Sequence, residues 1–150
     1  MTERVDFYVL KSTAAQQRWI FACRLAEKAY LKDLRVIVLS ESPADAKVFD
    51  DLLWTFNDRS FVPHQCCQDG HSMDPDTPVH VTAALEESAA ADLLVNLSEK
   101  LPQGLTRFAR IAEIVDADPE RRRSGRERFK AYRGRQLTLE THQLDGNSEL

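Results

Sequence analysis

The chain has 150 residues, 43% of them hydrophobic and 29% charged, and carries a net charge of −4. That length suits one domain with a hydrophobic core of its own. No run of about 18 apolar residues offers a membrane span, the Thr-Glu-Arg start is not a signal peptide, and the acidic balance makes tight duplex binding a poor fit, because affinity for phosphates scales with the charges neutralised.

In chain order, Val5-Asp-Phe-Tyr-Val-Leu10 reads as a short strand. From about Ala14 to Leu31, Trp19, Cys23, Ala26 and Tyr30 recur three or four apart, which predicts a helix. Arg35-Val-Ile-Val-Leu-Ser40 is nearly all apolar, the mark of a strand buried on both faces. Ser42-Pro43 then opens a second helix that runs to Trp54. A β-α-β-α start implies a parallel pair joined by a right-handed crossover.

Residues 55–78 hold Pro63, Gly70, Pro75 and Pro78, which predicts a loop-rich stretch with one short strand at Phe61-Val62. Val79–Ala83 and Leu93–Leu97 are the next strand candidates, followed by a helical turn over Leu105–Arg110 and a strand near Ile111–Val115. A helix over 118–133 and an alternating edge strand over Gln136–His142 close the pattern. The expected fold is a three-layer α/β domain over residues 1–144, its central sheet mostly parallel with helices on both faces, and 145–150 form a frayed tail.

Such a Rossmann-like or P-loop-like scaffold invites a nucleotide, yet the phosphate loop is missing. Lys11-Ser12 follows the first strand with no glycine before it, and Gly70, Gly104, Gly125, Gly134 and Gly146 fit no phosphate-binding motif. His64-Gln-Cys66-Cys67-Gln-Asp-Gly-His71 gathers metal-ligating residue types, but adjacent cysteines do not match zinc spacings. Three cysteines without a pairing pattern argue instead for a reducing cytosol. No nucleophile motif appears, so neither a catalytic site nor a cofactor is expected.

Charge is unevenly placed. Residues 107–135 hold 10 Lys/Arg against 5 Asp/Glu, and the rest of the chain 10 against 19. Within the basic segment Asp118 suits an N-cap and Pro119 the first helical position. Steps of four, three and four put Arg122, Arg126, Phe129 and Arg133 on one face, with Lys130 at its edge. Cations around an apolar ring suit an acidic partner that carries a hydrophobic side chain; the same run also suits a plain solvated helix. Trp54, Phe56 and Phe61 lie close together where the second helix ends, either as a plug for the sheet edge or as an aromatic wall for a peptide.

Val5-Asp-Phe-Tyr-Val-Leu, Leu52-Leu-Trp54 with Ser60-Phe-Val-Pro-His64, and Gly125-Arg-Glu-Arg-Phe-Lys-Ala-Tyr-Arg133 together resemble the chi subunit family of bacterial DNA polymerase III. The resemblance covers nearly the whole chain. It implies a cytoplasmic, non-catalytic accessory subunit that pairs one-to-one with psi and reaches the clamp loader through it. It also implies binding of the acidic C-terminal tail of single-stranded DNA-binding protein, which ends in a phenylalanine carboxylate. Carried over, the tail site is Trp54, Phe61, Arg122, Arg126, Phe129 and Lys130, with Phe129 standing where the family commonly has tyrosine. Two rivals stand beside this reading: a module that binds single strands directly through Arg121–Arg123, Arg126 and Phe129, and a degenerate nucleotide hydrolase. The residues do not indicate which face would hold psi.

Overall fold

The computed structural model describes residues 2–59, 61–67, 76–85 and 89–144. In chain order its elements are β1 (Arg4–Leu10), α1 (Ala15–Leu31), β2 (Val36–Leu39), α2 (Pro43–Thr55), β3 (His64–Cys67), β4 (Val79–Thr82) and β5 (Ala91–Asn96). A 3-10 turn (Leu105–Arg107), β6 (Phe108–Val115), α3 (Pro119–Gly134) and β7 (Leu139–Leu144) complete them. The strands form one sheet in the order β3-β4-β2-β5-β6-β1-β7. Every pairing in it is parallel. The three-layer α/β expectation holds, and the sheet is more uniformly parallel than the sequence implied.

Alternation along the strands sorts the core into two layers. Tyr8, Leu10, Val36, Val38, Val79, Val81, Val95 and Ile114 face α1 and α2, whose Phe21, Ala22, Phe49 and Leu53 are buried against them. Val5, Phe7, Ile37, Leu94 and Ile111 face the other way, where α3 contributes Tyr132 and the half-buried Phe129. The starts of α2 and α3 are legible chemically. Ser42 caps α2 by accepting from the Asp45 amide at 3.1 Å, and Asp118 caps α3 by accepting from the Arg121 amide at 3.0 Å.

Four expectations need correction. β1 and β2 are parallel but not neighbours, because β5 and β6 lie between them; these later strands, apolar on both faces, take the middle of the sheet. The short strand expected at Phe61-Val62 begins instead at His64. Pro63 has no N–H for a ladder, and Val62, 1% exposed, is a core plug. The turn expected over Leu105–Arg110 is a single 3-10 turn, so β6 starts at Phe108, whose ring is fully buried. The final strand spans 139–144 rather than 136–142, since Gln136 takes φ 61° to turn the chain out of α3. It is an edge strand, paired in parallel with β1. The tail expected at 145–150 lies outside the described residues.

Candidate functional site

α3 is a very polar helix, and what docks it on the sheet is polar too. Glu113 of β6 is fully buried and accepts from Arg128 Nε at 3.0 Å, Tyr132 Oη at 2.7 Å and Asn96 Nδ2 at 2.9 Å. Burial pushes the Glu113 carboxyl above its ordinary pKa, while the Arg128 charge and the three hydrogen bonds pull the other way. Arg128 also donates to the Glu99 carbonyl at 3.0 Å. A Cβ added at Gly125 would come within 2.9 Å of Val115 Cγ2, so glycine lets α3 approach β6 closely at this point.

The docking leaves a groove of about 230 Å³ between α3 and β7. Phe7, Val9 and Val115 form its floor, Arg122, Gly125, Arg126 and Phe129 one wall, and Thr141 and Gln143 the other. Phe129 stands edge-on to Phe7 at 5.2 Å between centroids, and the Arg133 guanidinium lies 5.1 Å from its ring. Arg122 donates from Nε to the Asp116 carbonyl at 3.0 Å. Its neighbour Arg121 holds the Asp116 carboxylate with Nε at 2.8 Å and NH2 at 2.7 Å, and these bonds raise the guanidinium pKa further. Among the described residues no carboxylate pairs with Arg122, Arg126 or Lys130. The groove thus offers an apolar floor beside two cations that have no counter-charge of their own, a geometry that accepts an apolar group next to an anion.

Trp54 and Phe61 are elsewhere. Their rings lie 5.5 Å apart at the end of α2, 48% and 65% exposed. His64 packs on Trp54 at 4.2 Å and bonds the Asp50 carboxylate at 3.1 Å. Burial raises the Asp50 pKa and the His64 imidazole opposes that rise. α2 covers the sheet face opposite α3 and the edge opposite β7. The six expected site residues therefore do not form one pocket. Arg122, Arg126 and Phe129 come together in the groove, Lys130 is exposed on the same helix beyond its lining, and Trp54 with Phe61 makes a separate exposed patch. An aromatic wall shared by Trp54, Phe61 and Phe129 is ruled out by this separation.

Phe7, Val9, Val115, Thr141 and Gln143 were missed from the sequence. Only the alternation of Phe7 and Val9 along one strand hinted at a shared face. Among the described residues one group has metal-ligand proximity, Asp6, Glu140 and His142. Asp6 is already bonded by Arg4 Nε at 3.2 Å, Arg110 NH2 at 3.2 Å and His142 Nε2 at 3.0 Å. That makes the group an ion-pair cluster tying β7 to β1. Among the described residues no helix is long and apolar enough to cross a membrane.

Fold and site define the class: a parallel α/β domain with a cation-rimmed apolar groove in place of a phosphate loop. A family model described as "DNA polymerase III chi subunit, HolC" matches residues 1–140. The chain is 34% identical over 141 residues to DNA polymerase III subunit chi of Pseudomonas aeruginosa, covering 94% of this chain and 96% of that protein. It is 28% identical over 145 residues to the Haemophilus influenzae subunit of the same name, with 96% and 99% coverage. It is also 28% identical over 120 residues to the Escherichia coli one, with 79% and 80% coverage. The chain belongs to the DNA polymerase III chi subunit family, whose members are accessory subunits of a replicative polymerase. Bacteriophage T4 UvsW shares the fold, with a TM-score of 0.68 at 10% identity; the match spans 97% of this chain and 42% of UvsW.

Proposed function

We propose that this protein is a cytoplasmic, non-catalytic adaptor of the replicative polymerase. Its α3–β7 groove binds the acidic, phenylalanine-terminated tail of single-stranded DNA-binding protein, and its Trp54–Phe61 patch docks psi and, through it, the clamp loader. One observation carries the first part: Arg122 and Arg126, free of carboxylate partners among the described residues, flank an apolar floor of Phe7, Val9 and Val115. The terminal ring enters over that floor beside Phe129, a burial that contributes about 1.5–3 kcal/mol. Arg126 meets the terminal carboxylate, Arg122 sits one turn further along, and Lys130 reaches the preceding acidic side chains. Exposed pairs add only about 0–1 kcal/mol each, so the affinity is expected in the micromolar range, about −8 kcal/mol, and weakens with salt. A modest affinity suits a contact that must exchange as the polymerase advances.

The psi assignment rests on position. Trp54 and Phe61 are the large exposed rings on the face away from α3, so the two partners would not compete. Direct binding of single strands is weakened as an alternative: Arg121 is held by Asp116 and Arg123 by Glu120, and Phe129 is half-buried against Phe7.

Calorimetric titration with an acidic peptide ending Pro-Phe, and with the same peptide lacking Phe, tests the groove. Binding that requires the Phe and is weakened by Arg126→Ala but spared by Trp54→Ala is the expected result. Equal binding of both peptides, or saturable binding of a naked oligonucleotide with no binding of either peptide, would sink the adaptor reading.

A further inference from the structure

A second cavity, of about 150 Å³, opens where β2 and β5 end and shares no lining residue with the α3–β7 groove. Ala15, Arg18, Ser40, Glu41, Asp45 and Glu99 are among the residues around it. In open parallel sheets the crevice outside the carboxyl ends of the strands is where ligands collect. Here no glycine-rich phosphate loop follows β1, but the crevice is lined by polar side chains.

Three observations on its inner side point to an anion. Arg18 is 6% exposed and donates to two carbonyls, from Nε to Ile114 at 2.8 Å and from NH2 to Leu97 at 2.9 Å. No carboxylate lies within ion-pair distance of it among the described residues. Burial, and then the nearby Arg121 charge, lower the Arg18 pKa to about 10, against the opposing pull of the more distant Asp116 and Glu113 carboxylates. Ser40 is 2% exposed, and its Oγ is the buried side-chain atom that finds no hydrogen-bond partner among the described residues. Unlike α2 and α3, α1 begins without a side-chain cap, at Ala14; the Gln17 amide turns back to the Ala14 carbonyl at 3.0 Å, and no cap side chain serves the amides before it.

The outer side has the opposite sign. Glu41 and Glu99 are exposed and Asp45 half-buried, and Glu41 is fixed by accepting from the Glu99 amide at 2.7 Å. Arg121, the other cation in the lining, is neutralised by Asp116. Three acids at the mouth disfavour a polyphosphate, and the buried guanidinium disfavours a simple cation. A ligand that satisfies both sides carries an anion at one end and a cation at the other.

We propose that this cavity binds a small zwitterion of amino-acid type, its carboxylate toward Arg18, Ser40 and the start of α1, its ammonium toward Glu41, Asp45 and Glu99. The reading does not depend on the peptide groove. NMR titration of the full chain with 4-aminobutyrate, and separately with acetate and with butylamine, tests it. Saturable shifts of the Ala15, Ser40 and Leu97 amides are expected, with 4-aminobutyrate binding several-fold more tightly than either fragment. Arg18 ties two strand ends and its removal endangers folding, so the variants are Ser40→Ala, which weakens all carboxylate binding, and Glu41→Gln with Asp45→Asn, which brings 4-aminobutyrate down to the level of acetate. Shifts that never saturate, or equal affinity for acetate and 4-aminobutyrate in the unaltered chain, overturn the proposal.

Discussion

Where α1 and α2 cover the sheet, contact is apolar: Phe21, Phe49 and Leu53, each no more than 1% exposed, pack on Val36, Val38, Val79 and Val81. Where α3 covers it, the deepest contacts are Arg128 and Tyr132 on Glu113. Apolar burial is large but undirected, and it tolerates small shifts of a helix. The α3 network holds only in one geometry, because Arg128, Tyr132 and Asn96 must all meet one carboxylate. A helix whose outer face is given to cations has little apolar surface left for docking, and the directed network sets where Arg122 and Arg126 stand over the groove.

Substitutions at the two faces sharpen that contrast, beginning with the largest effects. Phe49→Ala should destabilise the protein by about 3–5 kcal/mol, read by denaturant unfolding, with peptide affinity unchanged in the folded fraction. Arg128→Met should cost a similar 3–5 kcal/mol because it strands a buried charge, but adding Glu113→Gln should recover much of it. The same restoration would not follow from any second change near Phe49. In Arg128→Met the Arg128 charge and its hydrogen bond no longer offset burial, so the folded pKa of Glu113, already raised, climbs further above the unfolded value. Such a carboxyl favours the folded state most below the unfolded pKa, and that advantage is lost as pH rises. The deficit relative to the unaltered protein should therefore shrink as pH falls toward about 4. A deficit that grows in acid would refute the account of Glu113.

At the groove the effects are smaller. Arg126→Ala should weaken the Phe-terminated peptide about ten- to a hundredfold, the equivalent of the roughly 1.5–3 kcal/mol of a hydrogen bond to a charged group. Gly125→Ala gains about 1 kcal/mol of helix propensity and meets Val115, a stiff β-branched side chain, at 2.9 Å. Its net stability change should be small, within about 1–2 kcal/mol of overpacking cost, with a clear loss of peptide affinity as α3 is pushed outward. Smallest of all, Trp54→Ala should change stability by about 0.5 kcal/mol or less, as surface substitutions usually do. It should leave the peptide isotherm unaltered and weaken only the complex with psi, read by sedimentation.

Local chemistry made much of this legible in advance. Asp118-Pro119 announced α3 and Ser42-Pro43 announced α2, because caps and first-turn prolines act through the nearest few residues. The cationic face of Arg122, Arg126 and Phe129 followed from helical spacing alone. The position of Phe61 away from the basic helix was not legible for the opposite reason: aromatic character says that a ring wants burial or a partner, not which face of a sheet it will occupy. β6 was cut short because Phe108 follows a 3-10 turn, and the period of a helix and that of a strand are indistinguishable over three residues.

By itself, then, the sequence determined the α/β class, the missing phosphate loop, the starts of α2 and α3 and the family, since each depends on residue type at short range. The tertiary structure decided the strand order, the distance between Trp54 and the basic helix, the floor that Phe7, Val9 and Val115 lay under it, and the encounter of Arg18 with Ser40 and Glu41. Each of these joins residues far apart along the chain, and their meeting depends on which strands bury both faces and so take the centre of the sheet.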